Sequence, residues 1–251
     1  MIQVEHVTKR YGATLAVDDV SFRVETGEVV GFLGPNGAGK STLLRMLSTW
    51  LSPSAGSIRV AGHDVVQEPL SVRRSIGYLP EHNALYETMR VDRFLRFIGR
   101  MHGLDEARRA ERTAWVVGAC QLESVLGKKI QHCSKGFRQR VGVDAALLHD
   151  PAVILLDEPT HGLDPLQVAL FLGFVRELAR EHCVLFSTHV LSEAVSVSDR
   201  LLVIHEGRIL LDSPVGAMRE RAVAAGRTIE AELLELVRAA RTVEAGVAAR
   251  P

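Results

Sequence analysis

The rhythm of apolar and polar positions changes several times along the chain. Residues 2–7 and 20–24 alternate the two kinds, which predicts antiparallel strands with one wet face. Residues 29–33, Val-Val-Gly-Phe-Leu, are continuously apolar and predict a short buried strand. A helix is expected over residues 41–50, where Leu43, Leu44, Met46 and Leu47 are apolar. Residues 57–62 predict an edge strand closed by a turn, and residues 75–80 a strand that Pro80 ends. From about residue 88 to about residue 150 the pattern becomes helical. Val91, Phe94, Leu95, Ile98 and Met101 fall on one helical stripe. Gly103 breaks that helix, and Asp105 is suited to cap the next, which runs toward Cys120. Residues 136–149 predict a further helix, stopped by Asp150-Pro151.

Three more strands are expected at residues 152–156, 183–187 and 201–205. The first two are uninterrupted apolar runs, the pattern of parallel strands buried on both faces. Helices over residues 166–180 and 191–197 would supply right-handed crossovers between them. Residues 213–251 are rich in Ala, Arg and Glu, with Ile229, Leu233, Leu236 and Val237 at helical spacing, and predict two helices and a frayed end. The fold class is therefore α/β: a parallel sheet, an antiparallel β-subdomain at the N-terminus and a helical subdomain inserted between strands.

Composition narrows the function. The 251 residues are 47% hydrophobic and 24% charged, as in an ordinary globular protein. Thirty basic residues balance thirty acidic ones, so no net charge draws the chain toward nucleic acid, and no nucleic-acid partner is expected. No segment approaches the ~20 apolar residues needed to span a bilayer. The first residues lack the basic-then-apolar pattern of a signal peptide. Cys120, Cys133 and Cys183 are widely spaced and read as reduced thiols of a cytosolic protein.

The chemistry is concentrated in Gly34, Pro35, Asn36, Gly37, Ala38, Gly39, Lys40, Ser41 and Thr42, which spell G-x-x-x-x-G-K-S between a predicted strand and a predicted helix. Such a loop turns backbone N–H groups inward around phosphates, and the helix N-terminus adds free donors and a favourable dipole. Lys40 supplies charge for the β- and γ-phosphates, and the Ser41 hydroxyl is placed for Mg²⁺. The chain is thus expected to bind a nucleoside triphosphate. Asp157 and Glu158 end an apolar strand, where a carboxylate can hold hydrated Mg²⁺ and its neighbour can polarise the attacking water. An acid pair there can also cap the following turn. His189 ends the next strand, in Ser187-Thr188-His189, and can donate a hydrogen bond to a γ-phosphate. A lone histidine at a strand end is often structural.

The order of these segments resembles the ATP-binding subunit of an ABC transporter over about residues 1–212, with residues 213–251 as a short helical extension. The resemblance implies that Tyr11 stacks on adenine and that Gly34 to Thr42 form Walker A. It also implies that Asp157-Glu158 form Walker B with its catalytic glutamate, that Asp164 belongs to the D-loop, and that His189 is the switch histidine. The signature segment reads Cys133-Ser134-Lys135-Gly136-Phe137 in place of the commoner L-S-G-G-Q, keeping Ser134 and Gly136 for the γ-phosphate held by an opposite subunit. The Q-loop position holds Glu81, which can bind Mg²⁺-bound water but cannot donate as an amide does. Both departures are similar to the ABC-2-type exporter branch. The resemblance implies an ATP- and Mg²⁺-dependent ATPase, dimeric with itself or a homologue, on the cytoplasmic face of the membrane beside transmembrane permease subunits. The helical subdomain covers about residues 82–150, and its part around residues 82–135 would transmit the motion; Leu85 and Tyr86 either anchor the permease or pack into the helical subdomain. The alternatives are a soluble ABC ATPase acting on nucleic acid or ribosomes, and a non-hydrolysing regulatory subunit. Lys40 and Asp157 lie too close in sequence for the long coiled-coil insertion of DNA-repair members, and Glu158 and His189 argue against the regulatory reading.

Overall fold

The computed structural model describes residues 1–248, with side chains to residue 239. In chain order the elements are β1 (Ile2–Tyr11), β2 (Thr14–Val24), β3 (Val29–Leu33), α1 (Lys40–Leu47), β4 (Ala55–Val60), β5 (His63–Asp64), α2 (Pro69–Ser75) and β6 (Ile76–Leu79). Then come α3 (Val91–Met101), α4 (Glu106–Ala119), α5 (Lys135–Leu147), β7 (Val153–Asp157), α6 (Pro165–Leu178) and β8 (Cys183–Thr188). The chain continues through α7 (Leu191–Val197), β9 (Arg200–His205), β10 (Arg208–Pro214), α8 (Val215–Ala224) and α9 (Ile229–Ala248). The frayed end expected of the sequence lies outside the described residues.

Two sheets carry the fold. A four-stranded antiparallel sheet has the order β2-β1-β4-β5, and a six-stranded sheet has the order β10-β9-β3-β8-β7-β6. In the larger sheet β9, β3, β8, β7 and β6 run parallel, and β10 closes one edge antiparallel to β9. Every residue of β3, β7 and β8 is buried, as continuous apolar runs require of central parallel strands. One core lies between the two sheets and around α1, where Phe22 and Phe32 meet at 6.4 Å. A second joins β7 and β8 to α3, α4, α5 and α6. A third seats α8 and α9 on the sheet through Val215, Met218 and Leu233.

The structure corrects several details of the sequence reading. β4 is not an edge strand, because β5 pairs with it over two residues; α2, β5 and β10 carry too short or too mixed a pattern to be read from periodicity. α1 stops at Leu47, since Thr49 takes a φ of +64° that no helix continues. Met101 does not join its stripe: it is 70% exposed, and Gly99 takes the inward position instead. A Cβ at Gly99 would meet the Arg109 stem at 2.9 Å, so the glycine lets α4 approach α3 closely. Leu85 packs against the helical core, whereas Tyr86 stays 56% exposed with its ring edge-on to Phe94 and Phe97. Among the described residues no helix is long and apolar enough to cross a membrane.

Candidate functional site

Because β3, β6, β7 and β8 are parallel, the loops that follow them open on one edge of the sheet, where ligands of open α/β sheets bind. The loop after β3 is the glycine-rich one. Gly37 has a φ of +80° and Gly39, the N-cap of α1, a φ of +109°. A Cβ at Gly39 would lie 2.5 Å from the Ala16 carbonyl oxygen, so the loop is folded tightly beside β2 and only glycine fits. As an N-cap without a side chain, Gly39 leaves the first N–H groups of α1 with no intrahelical or cap partner. Lys40 opens that helix and is 5% exposed. Its Nζ donates to Gly34 O at 2.6 Å and Pro35 O at 3.2 Å, which bends the ammonium back over the loop.

The loop after β7 brings Glu158 to the same place. Its Oε1 lies 3.2 Å from Lys40 Nζ, in ion-pair range but not aligned as a hydrogen bond. Its Oε2 meets His189 Nδ1 at 2.9 Å, so the loops after β7 and β8 are joined side chain to side chain. Glu158 holds a φ of +48°, a region that costs a non-glycine residue about 1–2 kcal/mol. The cost is met by anchoring: its N–H donates to Ser187 O and Ser187 Oγ, each at 3.2 Å.

Asp157 ends β7, fully buried, and Ser187 beside it in the register donates to Oδ1 at 2.7 Å. Burial pushes the Asp157 carboxyl above the usual range, hydrogen bonds from Ser187 and Ser41 pull it back, and the charges of Glu81 and Glu158 push it up again. A carboxyl crowded by acids and burial gains most from a cation. The groups that act on it, Ser41, Ser187, Glu81 and Glu158, all offer oxygen, the donor type that suits a hard ion such as Mg²⁺.

A cleft of about 360 Å³ results, lined by Ala16, by loop residues Pro35, Asn36, Gly37 and Gly39, by Lys40, Ser41 and Thr42 of α1, and by Glu81 and Glu158. Glu81 also borders the groove beside Asp157 and Asn83. Tyr11 is not in the cleft lining; it ends β1, 45% exposed, with Lys9 Nζ 5.4 Å from its ring centre. Ser134, Gly136 and Asp164 form a separate cluster. Ser134 caps α5 by accepting from Phe137 N at 3.3 Å, and Asp164 caps α6 by accepting from Gln167 N at 2.9 Å. The Gln167 side chain lies against Gly136, and the Lys135 side chain crosses Gly162. Ser134 and Lys135 are exposed.

Residues that sequence patterns do not single out also shape the site. Ser187 is legible only once β7 and β8 are known to pair, and Ala16 only once β2 is placed over the loop. Gln139 of α5 donates to Pro159 O at 2.8 Å and ties the signature helix to the loop after β7.

With this geometry in hand, the comparisons with known proteins decide the family. The family model described as "ABC transporter" matches residues 17–161, more than half of the chain. The chain belongs to the ABC transporter family. It is 40% identical over 235 residues to the daunorubicin resistance ATP-binding protein DrrA3 of Streptomyces coeruleorubidus, covering 93% of this chain and 74% of that one. It is 39% identical over 207 residues to the ABC transporter ATP-binding protein NatA of Bacillus subtilis (strain 168), covering 82% and 84%. A solved structure described as the ATP-binding subunit of an ABC transporter matches with a TM-score of 0.85 at 31% identity, over 94% of this chain and 99% of that chain. The molecule is an ABC ATPase, with the α/β cassette architecture of that family.

Proposed function

We propose that this ABC ATPase powers an exporter by closing two copies around ATP and opening them on hydrolysis. The observation that carries the reading is the division of the site residues. Lys40, Ser41, Glu158 and Glu81 line one cleft, with Asp157 bordering it and His189 held on Glu158, while exposed Ser134 and Gly136, buried against the Gln167 side chain, stand together at the start of α5. A serine hydroxyl and free N–H groups at a helix start suit an anion, and the phosphates of a second copy supply one. Asp164, beside that start, would lie at the junction of the two copies.

Within one cleft, the loop residues Gly34 to Gly39 and Lys40 to Thr42 cradle the phosphates, and Tyr11 meets the adenine from the end of β1. Ser41, Asp157 and Glu81 would hold Mg²⁺, which neutralises phosphate charge. Glu158 accepts a proton from the attacking water, and His189 holds the carboxylate in place. Positioning and electrostatics supply nearly all of the catalysis in phosphoryl transfer, and buried Lys40 and Glu158 fit that demand.

Residues 1–212 act as the ATP-binding domain, and the helical subdomain of residues 82–150 passes motion to transmembrane permease subunits at the cytoplasmic face of the membrane. Residues 213–251 extend the domain. Export is supported by the likeness to DrrA3, whose name ties it to daunorubicin resistance, and by the S-K-G signature and Y-L-P-E segment of the ABC-2-type branch.

Glu158→Gln tests the reading. Turnover should fall about 10²–10⁴-fold, the worth of a positioned general base, while ATP binding persists. Light scattering after size exclusion should then find a dimer with ATP and Mg²⁺ and a monomer without them. A variant that hydrolyses ATP at the parental rate, or that stays monomeric with bound ATP, overturns the proposal.

A further inference from the structure

Glu193 stands in the first turn of α7, outside the lining of the cleft. Its Oε2 accepts two hydroxyl hydrogen bonds, from Thr160 Oγ1 at 2.7 Å and from Thr188 Oγ1 at 3.1 Å. Thr160 lies two residues beyond Glu158, and Thr188 directly precedes His189. Both threonines are buried. The direction of the Thr188 bond is set by the chain. Val190 N donates to Thr188 Oγ1 at 3.0 Å, which leaves the Thr188 proton to point at Glu193. Glu193 must therefore act as an acceptor for both hydroxyls at once, and it draws the loops after β7 and β8 onto one oxygen.

The consequence is a closed ring. Glu158 and His189 bond side chain to side chain at 2.9 Å, their loops continue to Thr160 and Thr188, and Glu193 joins those two from behind. Within this ring Glu158 holds a strained backbone, with a φ of +48°. A left-handed glutamate persists only where its surroundings over-determine it. From the other side, Gln139 grips the same loop at Pro159 O.

We propose that Glu193 is a positioning residue for ATP hydrolysis, fixing the separation of the two loops so that His189 stays in register with Glu158. The proposal rests on the reading of Glu158 and His189 as the hydrolytic pair. Among the described residues Glu193 makes no hydrogen bond or ion pair with either of them, and it works through Thr160 and Thr188.

The test is steady-state ATPase activity of the full chain, with kcat and KM for MgATP measured separately. Glu193→Ala should lower kcat about 10–100-fold, the loss expected when charge-assisted hydrogen bonds at a preorganised site are removed. KM should change little, because neither Glu193 nor the two threonines line the cleft. Glu193→Gln should recover most of that loss, since an amide oxygen can still accept both hydroxyls. In a His189→Ala background the further effect of Glu193→Ala should shrink to about twofold, because residues that act as a unit are not additive. Should Glu193→Ala fail to fold, Thr160→Val and Thr188→Val each delete one donor at nearly constant volume and carry the same cycle.

A full, additive loss in the His189→Ala background overturns the proposal, as does a raised KM with kcat unchanged or a glutamine variant no better than alanine. The two readings fail differently. If Glu158→Gln still hydrolyses ATP, the assignment of the pair is wrong. If Glu158→Gln is dead and Glu193→Ala is fully active, only the positioning role is lost.

Discussion

The cleft at the sheet edge and the start of α5, the two places proposed to meet phosphate, are built in opposite ways. In the cleft, Lys40 and Glu158 are held inside the protein, and each is tied to groups of its own chain within about 3 Å. At α5, Ser134 and Lys135 are exposed, and among the described residues the Ser134 hydroxyl is engaged only by the N–H of its own first turn. Buried charges must be paired where they stand, because an unpaired one costs several kcal/mol. An exposed helix start carries no such demand and keeps its N–H donors available. On the proposed function, the difference separates the half of the site finished by folding from the half finished by association.

Lys40→Ala should break the first half outright. It removes the ammonium that faces Glu158 and leaves that buried carboxylate with His189 as its remaining side-chain partner among the described residues. Nucleotide affinity should fall about a hundredfold, the upper range for a lost charged hydrogen-bond partner. Titration with a fluorescent ATP analogue checks this, and unchanged binding refutes the role. Ser134→Ala should by contrast leave nucleotide binding in its own chain intact while reducing ATP-dependent association. Mixing a Ser134-defective chain with a Lys40-defective one should then restore association above either parent, since one composite site in each heterodimer has both intact halves. No recovery in the mixture would place Ser134 in cis and erase the contrast.

The cleft was far more legible in the sequence than the contacts that hold it. Walker A announces itself by spacing, because glycines and a lysine at fixed offsets are what a phosphate-binding turn needs. Asp157 and Glu158 announce themselves by ending an apolar run. The parallel strands β3, β7 and β8 are equally plain, since burial on both faces confines polar residues to the ends of β7 and β8. Ser187, Thr160, Thr188 and Glu193 are not legible, because a hydroxyl is assigned its partner only by the register of β7 on β8 and the seat of α7. The Met101 stripe fails for a related reason. Periodicity counts apolar side chains, and it cannot see that Gly99 is the residue α4 packs against.

The smallest effect comes from the middle of α5, where the contrast between its exposed start and its buried body is sharpest. Asp144 is completely buried, and neither carboxylate oxygen has a well-formed hydrogen bond. Burial, with the charge of Glu123 adding, pushes its carboxyl well above the usual range, against a smaller pull from the Cys120 thiol. A raised acid contributes stability that is fully present below the ordinary carboxylate pKa and is lost as pH rises through the folded value. Wild-type protein should therefore lose stability across the pH range above about 4, while Asp144→Asn, which has no proton to lose, should not. A tenfold difference in proton affinity between the folded and unfolded chain corresponds to about 1.4 kcal/mol, and 1 kcal/mol moves the Tm of a chain this size by about 2–4 °C. Thermal melts from pH 5 to pH 8 should show Asp144→Asn gaining several degrees over wild type at the alkaline end and converging with it toward the acid end. Ser134→Ala, which removes an exposed cap on the same helix, should run parallel to wild type throughout. If the Asp144→Asn curve also runs parallel, the carboxyl in the body of α5 is not held neutral by burial, and the helix is uniform in a way its two ends deny.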